Sequence, residues 1–402
     1  MNRNFVIVGA ALAALWHSTA LAQDTIDIKV GVLNDRSGTY ADLSGPGSDI
    51  AAQMAIDDFG AAEKGINVEI VGADHQNKAD IASSIARRWF DQDGVDIIMD
   101  LPTSSAAFAV SDLGRQNNKL VIVTGGGSSD LTGTKCAPST FHWAYDTWSL
   151  AHGTGSALVE QGLDTWYFLT ADYAFGHSLE RDTSAIVTEA GGTVLGAIRH
   201  PFPGQDFSSF LLQAQSSGAK VIGLANAGAD TINSIKQASE FGITQSGQTL
   251  AGLLIFISDV HALGLQSAQG LVLTESFYWD HNDETRAWSR RFAERFGGTM
   301  PTMSHAGMYS AMMHYLKAVD ATRSKDTATI VAKMKEMPTQ DVVFGAGRLR
   351  EDGRKIHDMY LFRVKTPQQS SGPWDYYETV ATIPAEEAFR PIEDGGCPLL
   401  SK

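Results

Sequence analysis

The sequence alternates short apolar runs with longer amphipathic stretches, and this alternation begins twice. Such a pattern is typical of a parallel sheet with helices packed on both faces. The predicted strands of the first unit are residues 28–33, 67–72, 97–101 and 120–123. After a segment rich in Gly, Ser and Thr, those of the second unit are residues 166–170, 193–198, 221–224 and 249–254. The sequence therefore predicts an α/β protein built from two units of the same architecture.

Amphipathic periodicity places helices between these strands. They are predicted at 49–59, 78–90, 106–117, 149–161, 175–190, 207–217 and 231–241. A third block departs from the alternation, with predicted strands at 271–274, 347–350 and 359–365 and helices at 284–296, 304–322 and 328–336. Because each unit needs a complete sheet, we expect the third block to return to the first unit and the tail to the second. The predicted lobes are residues 23–144 with 273–345, and 145–272 with 346–402, joined by a hinge of several strands.

The first residues of the sequence predict export. Arg3 gives a short positive start, residues 5–16 form an apolar run, and Ala20-Leu21-Ala22 is a small-x-small cleavage site. A membrane anchor is the alternative, but this run is shorter than the roughly 20 apolar residues that span a bilayer. We therefore predict a signal peptide at 1–22 and a periplasmic protein.

Charge and cysteine content limit the partners. The net charge of −15 argues against nucleic acid, because binding to a phosphate backbone requires clustered Lys and Arg. Cys136 and Cys397 are the two cysteines of the sequence, and in an oxidising compartment such a pair predicts one disulfide. Two free buried thiols are the alternative. Residues 23–402 are too many for one ordinary core, which fits a two-domain chain, and we expect a monomer.

Loops after the predicted strands supply the candidate ligand-binding residues, since parallel α/β sheets bind ligands beyond the carboxyl ends of their strands. Two loops of the first unit carry Ser104 with Ser105, and Gly127 with Ser128 and Ser129. Hydroxyl groups and free backbone amides at helix N-termini suit a carboxylate or another anion. The alternative is that these serines only cap the helices that follow.

The second unit offers aromatic and polar candidates at the same kind of position. Tyr173 and Phe175 follow its first strand and can cover an apolar part of a ligand. Asn226 and Asp230 follow its third strand. For the rings the alternative is packing against the hinge or the opposite lobe, and for Asp230 it is a helix N-cap. Further aromatic candidates are Tyr145 and Trp148.

Motifs of catalysis are mostly missing. Residues 217–220 match the S-x-x-K spacing, but neither S-D-N nor K-T-G follows. The sequence has no G-x-S-x-G elbow, phosphate-binding loop, H-E-x-x-H or paired-cysteine zinc motif, and its histidines are scattered. We therefore predict no catalytic residue, no metal and no cofactor. A secreted amidase or hydrolase that uses the same cleft is the alternative from another class.

Short motifs in a specific order resemble one family. Residues 28–33, followed by Ser37-Gly38, resemble the first strand and turn of the branched-chain amino-acid-binding (Leu/Ile/Val-binding-like) family of periplasmic proteins from ABC transporters. The other matching motifs are residues 101–105, 126–132, 172–176, 206–208 and 346–349. The resemblance covers nearly the whole mature chain, and the order and spacing of the motifs make it specific.

The resemblance implies a two-lobed type I periplasmic-binding-protein fold, also called a Venus flytrap. Each lobe would be a mainly parallel sheet with helices on both faces, and three crossovers would form the hinge. It also implies that a small molecule is captured between the lobes and passed to the membrane permease of an ABC transporter. In that family the serine-rich loops hold a carboxylate, and an acid of the second lobe holds an ammonium group. A ligand-sensing module shares this fold and is a further alternative.

Two positions depart from the pattern of that family. Residues 251–256, which would carry the acid, contain none, and the next carboxylate is Asp259. No aromatic residue stands at the gate position near Leu43. Asp230 could replace the missing acid, because an unpaired ammonium in a closed cleft carries a large desolvation penalty. The ligand is therefore left open between an amino acid, an aromatic or aliphatic acid and a small amide.

Overall fold

The computed structural model describes residues 25–400, and the predicted signal peptide at 1–22 lies outside the described residues. The strands of the first sheet are β1 (Ile26–Asn34), β2 (Ile66–Asp74), β3 (Ile97–Asp100), β4 (Leu120–Val123) and β5 (Thr140–His142). They are parallel and lie in the order β2-β1-β3-β4-β5. The first four strands were predicted from the sequence, and β5 was not.

Both faces of the first sheet are buried. Its helices are α1 (Gly45–Phe59), α2 (Ala79–Asp91) and α3 (Ser104–Gln116). Successive side chains of a strand point to opposite faces, so Ile98 packs in one cluster with Trp89 of α2, and Ile97 packs in another with Met54 of α1. This burial on two faces explains why the central strands β3 and β4 are almost continuously apolar rather than alternating.

The second sheet repeats this architecture with four parallel strands. They are β6 (Thr165–Ala171), β7 (Thr193–His200), β8 (Val221–Ala225) and β9 (Thr249–Gly252), in the order β7-β6-β8-β9. The helices around it are α4 (Thr147–Leu150), α5 (Ser156–Glu160), α6 (Ala174–Glu189), α7 (Ser208–Ser216), α8 (Ala229–Glu240), α9 (Ile257–Leu263) and α10 (Leu265–Ala268). A π-helical turn, Ala151–Gly155, joins α4 to α5, so the single helix predicted at 149–161 consists of three segments.

The third block adds two small antiparallel sheets and three helices. The strands are β10 (Val272–Glu275), β11 (Thr339–Asp341), β12 (Gly345–Leu349), β13 (Lys355–Ile356), β14 (Met359–Val364) and β15 (Tyr377–Ile383). The helices are α11 (Asp283–Arg295), α12 (Met303–Thr322) and α13 (Thr327–Glu336). Helices α11 and α12 pack on α1 of the first sheet, and Arg291 of α11 donates to both carboxylate oxygens of Asp58 at 2.7 and 2.8 Å. Strand β14 pairs with β10 and β15, and β10 lies beside β9 of the second sheet.

The chain passes between the lobe on the first sheet and the lobe on the second at residues 143–146, 276–282 and 357–358, and it returns to the first lobe after β15, where the tail reaches Ser129 and Cys136. Next to the third passage, the buried Arg354 donates to the carbonyl oxygens of Trp143 and Tyr145 at 3.1 and 2.9 Å. Two of the connecting segments are therefore bonded side by side. The predicted two-lobed α/β architecture is confirmed, and the detailed lobe boundaries stay a prediction.

A disulfide anchors the tail of the chain. Cys136 and Cys397 are bonded, with their Cα atoms 5.6 Å apart, which confirms the predicted pairing. Nearby, the Arg390 guanidinium donates to the carbonyl oxygen of Ser129 at 3.0 Å. The tail therefore braces the loop that follows β4. Within residues 25–400, no helix is both long enough and apolar enough to cross a membrane.

Candidate ligand-binding site

A small cavity lies between the two lobes. It is lined by Tyr40, Leu43, Pro102, Tyr145, Tyr173, Phe175, Ala227 and Leu254. Each of these residues follows the carboxyl end of a strand in one of the two main sheets. Parallel sheets place their ligands at these ends. A larger surface groove near Gln248 and Gln269 lies at the opposite end of the second sheet. We therefore take the interlobar cavity as the candidate site.

Three helices begin at the wall of this cavity. Pro102 lies just before α3, Phe175 belongs to the first turn of α6, and Ala227 lies just before α8. The first amides of a helix have no carbonyl partner within the helix, and the helix N-terminus carries a partial positive charge. The backbone around the cavity therefore favours a negatively charged group.

The predicted serines of the first lobe lie in the loops next to the cavity, and none of them lines it. The buried Ser104 hydroxyl accepts from the Ser128 amide at 3.1 Å, so the two predicted loops are bonded together. The Ser128 hydroxyl lies 2.6 Å from the Ser178 hydroxyl of α6 in the opposite lobe. Ser105 is the second residue of α3 and is partly exposed. The serine loops therefore contact both each other and the second lobe.

Gly127 lets two aromatic rings reach the loop after β4. A Cβ at this position would lie 2.8 Å from the Phe175 ring and 2.9 Å from the Tyr145 ring. The Gly127 carbonyl accepts from the Thr147 amide at 2.7 Å, and the Tyr145 hydroxyl donates to the carbonyl oxygen of Gly125. Burial raises the pKa of the Tyr145 phenol well above its ordinary value. The aromatic wall is therefore packed directly on the backbone of this loop.

Aromatic rings from both lobes form the outer part of the wall. Tyr173 stacks on Phe202, with ring centroids 4.2 Å apart and planes at 16°, and Tyr40 packs on the same ring at 5.3 Å. The Tyr40 and Tyr173 hydroxyl oxygens lie 2.5 Å apart. Two of the predicted residues, Tyr173 and Phe175, therefore line the cavity together with the unpredicted Tyr40.

The lobes also meet through their backbones at this rim. The Ala229 amide donates to the carbonyl oxygen of Thr39 at 3.2 Å. Gly228 has a φ of 58°, and a Cβ there would lie 2.4 Å from the same oxygen. Only glycine combines this backbone conformation with so close an approach.

Asn226 and Asp230 lie behind the wall and not in it. The buried Asn226 amide donates to Ser234 at 3.1 Å and accepts from Thr231 at 2.7 Å. The Asp230 carboxylate accepts from the Gly204 amide at 3.1 and 3.2 Å. Burial raises the pKa of Asp230 to about 7. Both side chains are engaged within the second lobe, where they hold the loop that carries Ala227.

Two further buried acids lie in the second lobe. Asp259 caps α9 by accepting from the Phe256 amide at 2.9 Å, and burial raises its pKa to about 7. Glu275 accepts from the Tyr377 hydroxyl at 2.7 Å, and burial raises its pKa well above the ordinary value. Neither carboxylate lines the cavity. Among residues 25–400 no cluster of three His, Cys, Asp or Glu side chains is arranged to hold a metal.

A polar cluster that the sequence did not indicate joins the lobes next to the serine loop. Arg181 of α6 donates to Asp130 at 3.1 Å and lies 3.0 Å from Asp182. The buried Asp182 accepts from Ser129 at 2.7 Å and from Thr147 at 2.6 Å. The loop after β4 is thus bonded to α6 at two neighbouring places.

The cavity residues that the sequence did not single out share one property. They are Tyr40, Leu43, Pro102, Ala227 and Leu254. All lie in the strand-end loops, so position alone could have found them, but four of the five are apolar residues without distinctive chemistry.

Two α/β lobes that enclose a small cavity at their strand ends define the class of two-lobed binding proteins. The periplasmic binding protein family model matches residues 27–372, and the chain belongs to this family. The fold prediction and the resemblance to the branched-chain amino-acid-binding proteins are thereby confirmed.

Individual relatives agree with this assignment. A periplasmic binding protein from Burkholderia mallei is 50% identical, with a TM-score of 0.91 over 93% of this chain and 99% of that one. A branched chain amino acid ABC transporter periplasmic ligand-binding protein from Burkholderia xenovorans LB400 is 41% identical, with a TM-score of 0.82 over 92% of this chain and 99% of that one. The Leu/Ile/Val-binding protein homolog 6 of Brucella melitensis is 28% identical over 318 residues, which cover 77% of this chain and 80% of the relative.

Proposed function

We propose that this protein is the solute-binding component of an ABC importer and that it captures a small carboxylate-bearing solute between its lobes. The family supports the binding role, and the predicted signal peptide supports a periplasmic location. In this proposal a membrane permease receives the solute, and the bound solute is not chemically altered.

The observation that carries the proposal is the meeting of an uncharged, largely aromatic wall with the N-termini of α3, α6 and α8. Helix N-termini stabilise an anion without a counter-ion, and the rings offer apolar surface to the rest of the solute. A small acid satisfies both parts of this wall.

We assign the carboxylate to the first-lobe side of the cavity. The Ser128 and Ser178 hydroxyls are bonded to each other across the lobes at 2.6 Å, and a carboxylate that displaced this contact would accept from both hydroxyls. Ser104 and Ser105 begin α3, whose first amides have no carbonyl partner within the helix. Hydrogen bonds to a charged group of this kind are stronger than those between two neutral groups.

We assign the body of the solute to the second-lobe side. Tyr173 and Phe175 cover it, while Asn226 and Asp230 keep the loop after β8 in place without touching it. No charged side chain lines the cavity, so an ammonium group there would be buried without a partner, at a large desolvation cost. An acid without an amine therefore fits better than an amino acid.

An amino acid is the second candidate, because the Burkholderia xenovorans relative is named as a branched chain amino acid ABC transporter ligand-binding protein. Thermal-shift measurements with aromatic acids, aliphatic acids, leucine, valine and small amides separate the two. Ligands that bind only the folded state raise the melting temperature, by an amount that grows with concentration. Calorimetry then gives affinities, and mass spectrometry of the recovered ligand shows whether it is unchanged.

Ser104→Ala tests the assignment of the carboxylate. We expect a loss of affinity of about tenfold or more, since a hydrogen bond to a charged group contributes about 1.5–3 kcal/mol. Ser83→Ala, on α2 and away from the cavity, is the matched control and should bind normally. A panel in which no acid shifts the melting temperature would contradict the proposal.

A further inference from the structure

The two phenol hydroxyls that meet across the lobes are the polar feature of the outer cavity wall. Tyr40 comes from the loop after β1 in the first lobe, and Tyr173 is the residue before α6 in the second. Their oxygens lie 2.5 Å apart, and both residues line the cavity. Tyr40 is only 2% exposed. The pair is therefore a polar contact inside a mostly apolar, aromatic surround.

Counting protons shows what this pair can still bind. Each phenol has one O–H donor and can also accept. The mutual hydrogen bond uses a single O–H group, so the second O–H group remains able to donate, and lone pairs remain able to accept. Burial raises the pKa of both phenols well above the ordinary value, so both stay protonated and uncharged. The pair matches a neutral group that both donates and accepts, or one that only accepts.

The surroundings of the pair disfavour a cation. The acid whose charge acts on both phenols is Asp230, and its carboxylate already accepts from the Gly204 amide. Asp230 is itself 1% exposed and does not line the cavity. Phe202 stacks on Tyr173 and closes the wall with a further apolar ring. An ammonium group next to the pair would therefore lose its hydration without gaining a carboxylate in contact.

We propose that Tyr40 and Tyr173 are specificity-determining residues that select acids whose far end carries a hydroxyl or carbonyl group in place of an ammonium. This inference rests on the proposed function, because it takes the interlobar cavity as the solute site. It adds the chemical class of the far end, which the carboxylate assignment leaves open.

Matched ligands test the inference in the unaltered protein. Benzoate and 4-hydroxybenzoate differ only in the far hydroxyl, and 4-(aminomethyl)benzoate carries an ammonium on the same side. We expect 4-hydroxybenzoate to bind about tenfold more tightly than benzoate, as one well-made hydrogen bond allows, and the ammonium compound to bind most weakly. Equal affinities of the first two acids, or tightest binding of the ammonium compound or of leucine, would overturn the inference and leave the proposed carboxylate site standing.

Substitutions that remove one phenol hydroxyl test whether Tyr40 and Tyr173 cause the preference for 4-hydroxybenzoate. Tyr40→Phe and Tyr173→Phe should each bring the ratio of the 4-hydroxybenzoate and benzoate affinities from about tenfold close to one, since the hydroxyl group that separates the two acids has lost its partner. Tyr167→Phe removes a hydroxyl that accepts from Gln213 on the far side of β6 and should keep the full advantage. If both variants discriminate like the wild type, the pair does not determine specificity. If no acid binds to any of these proteins, the proposed function fails and the inference fails with it.

Discussion

Two loops at the carboxyl ends of strands, one in each main sheet, are held in different ways. The loop after β4, residues 124–132, is fixed by groups distant in sequence, including Ser104, Thr147 and Arg390. The side chains of the loop after β8, residues 226–230, bond within their own lobe, since Asn226 bonds to Thr231 and Ser234 and Asp230 accepts from the Gly204 amide. Its contact with the first lobe is a backbone bond from the Ala229 amide to Thr39.

This difference shows which polar residues remain able to meet a ligand. The Asn226 side chain bonds only within its own lobe, whereas the Ser128 hydroxyl contacts Ser178 of the other lobe. Both residues are polar, buried and placed at strand ends. Their roles differ because of the partners they find, and not because of their position in the sheet.

The largest expected effect comes from removing the brace of the loop after β4. The double substitution Cys136→Ser with Cys397→Ser should lower the free energy of unfolding by about 2–5 kcal/mol, because the cross-link closes a very long loop. Urea denaturation measures this. Hydrogen exchange should accelerate at residues 125–132 and stay unchanged at 226–230. Faster exchange in both loops would contradict the comparison.

Next in size is the effect of a side chain at the rim of the second loop. In Gly228→Ala the new Cβ would meet the Thr39 carbonyl, so the lobes cannot close fully, and we expect a loss of solute affinity of about 100-fold. Gly218→Ala is the matched control, since it also has a positive φ, of 69°, but meets nothing within 4 Å. Both variants carry backbone strain of about 1–3 kcal/mol. Equal affinities in titration calorimetry would show that closure does not need Gly228.

A pair of alanine substitutions separates the roles of the two loops. Ser128→Ala should cost about tenfold in affinity, as expected for one hydrogen bond to a charged ligand, and about 1 kcal/mol in stability, since Ser178 and the Asp130 amide lose a partner. Asn226→Ala should cost about 1–3 kcal/mol in stability, since it leaves buried partners unsatisfied, and keep the affinity nearly unchanged. Calorimetry and urea denaturation on both variants measure the two quantities. The reverse pattern would exchange the roles of the loops.

The smallest expected effect concerns pH. The pKa of Asp230 is about 7 in the folded protein and near 3.8 ordinarily, so the folded state holds this proton more firmly than the unfolded state. Raising the pH from about 4 to about 7 therefore lowers the free energy of unfolding through this group. In Asp230→Asn the free energy of unfolding should fall less over this pH range, by about 1 kcal/mol or more. The reason is that one pKa unit corresponds to about 1.4 kcal/mol. Urea denaturation between pH 5 and 8 measures the slope of the unfolding free energy against pH. The control Asp91→Asn, at an exposed position, should keep the wild-type slope. The same slope in Asp230→Asn would count against this account.

The sequence predicts the main sheets well and the cavity only in part. Buried strands such as β3 and β8 are continuous apolar runs, but β5 has three residues and β15 is mostly exposed, so neither carries a burial pattern. In the site, Tyr173 and Phe175 are distinctive residues at a strand end and were found. Tyr40 and Leu254 line the cavity only because the lobes meet there. A contact between lobes cannot be predicted from the local sequence around either residue.

The contact between Thr39 and Ala229 sets a condition on how fast a captured molecule can leave. With the rim bonded and the tyrosine pair closed over the cavity, escape requires the two lobes to separate first. The residence time of the solute is then governed by the rate of lobe opening, and weakly and tightly bound solutes would differ mainly in how long the shut state lasts. A receiving membrane protein that pulls the rim apart would release the cargo without having to compete for any of its contacts.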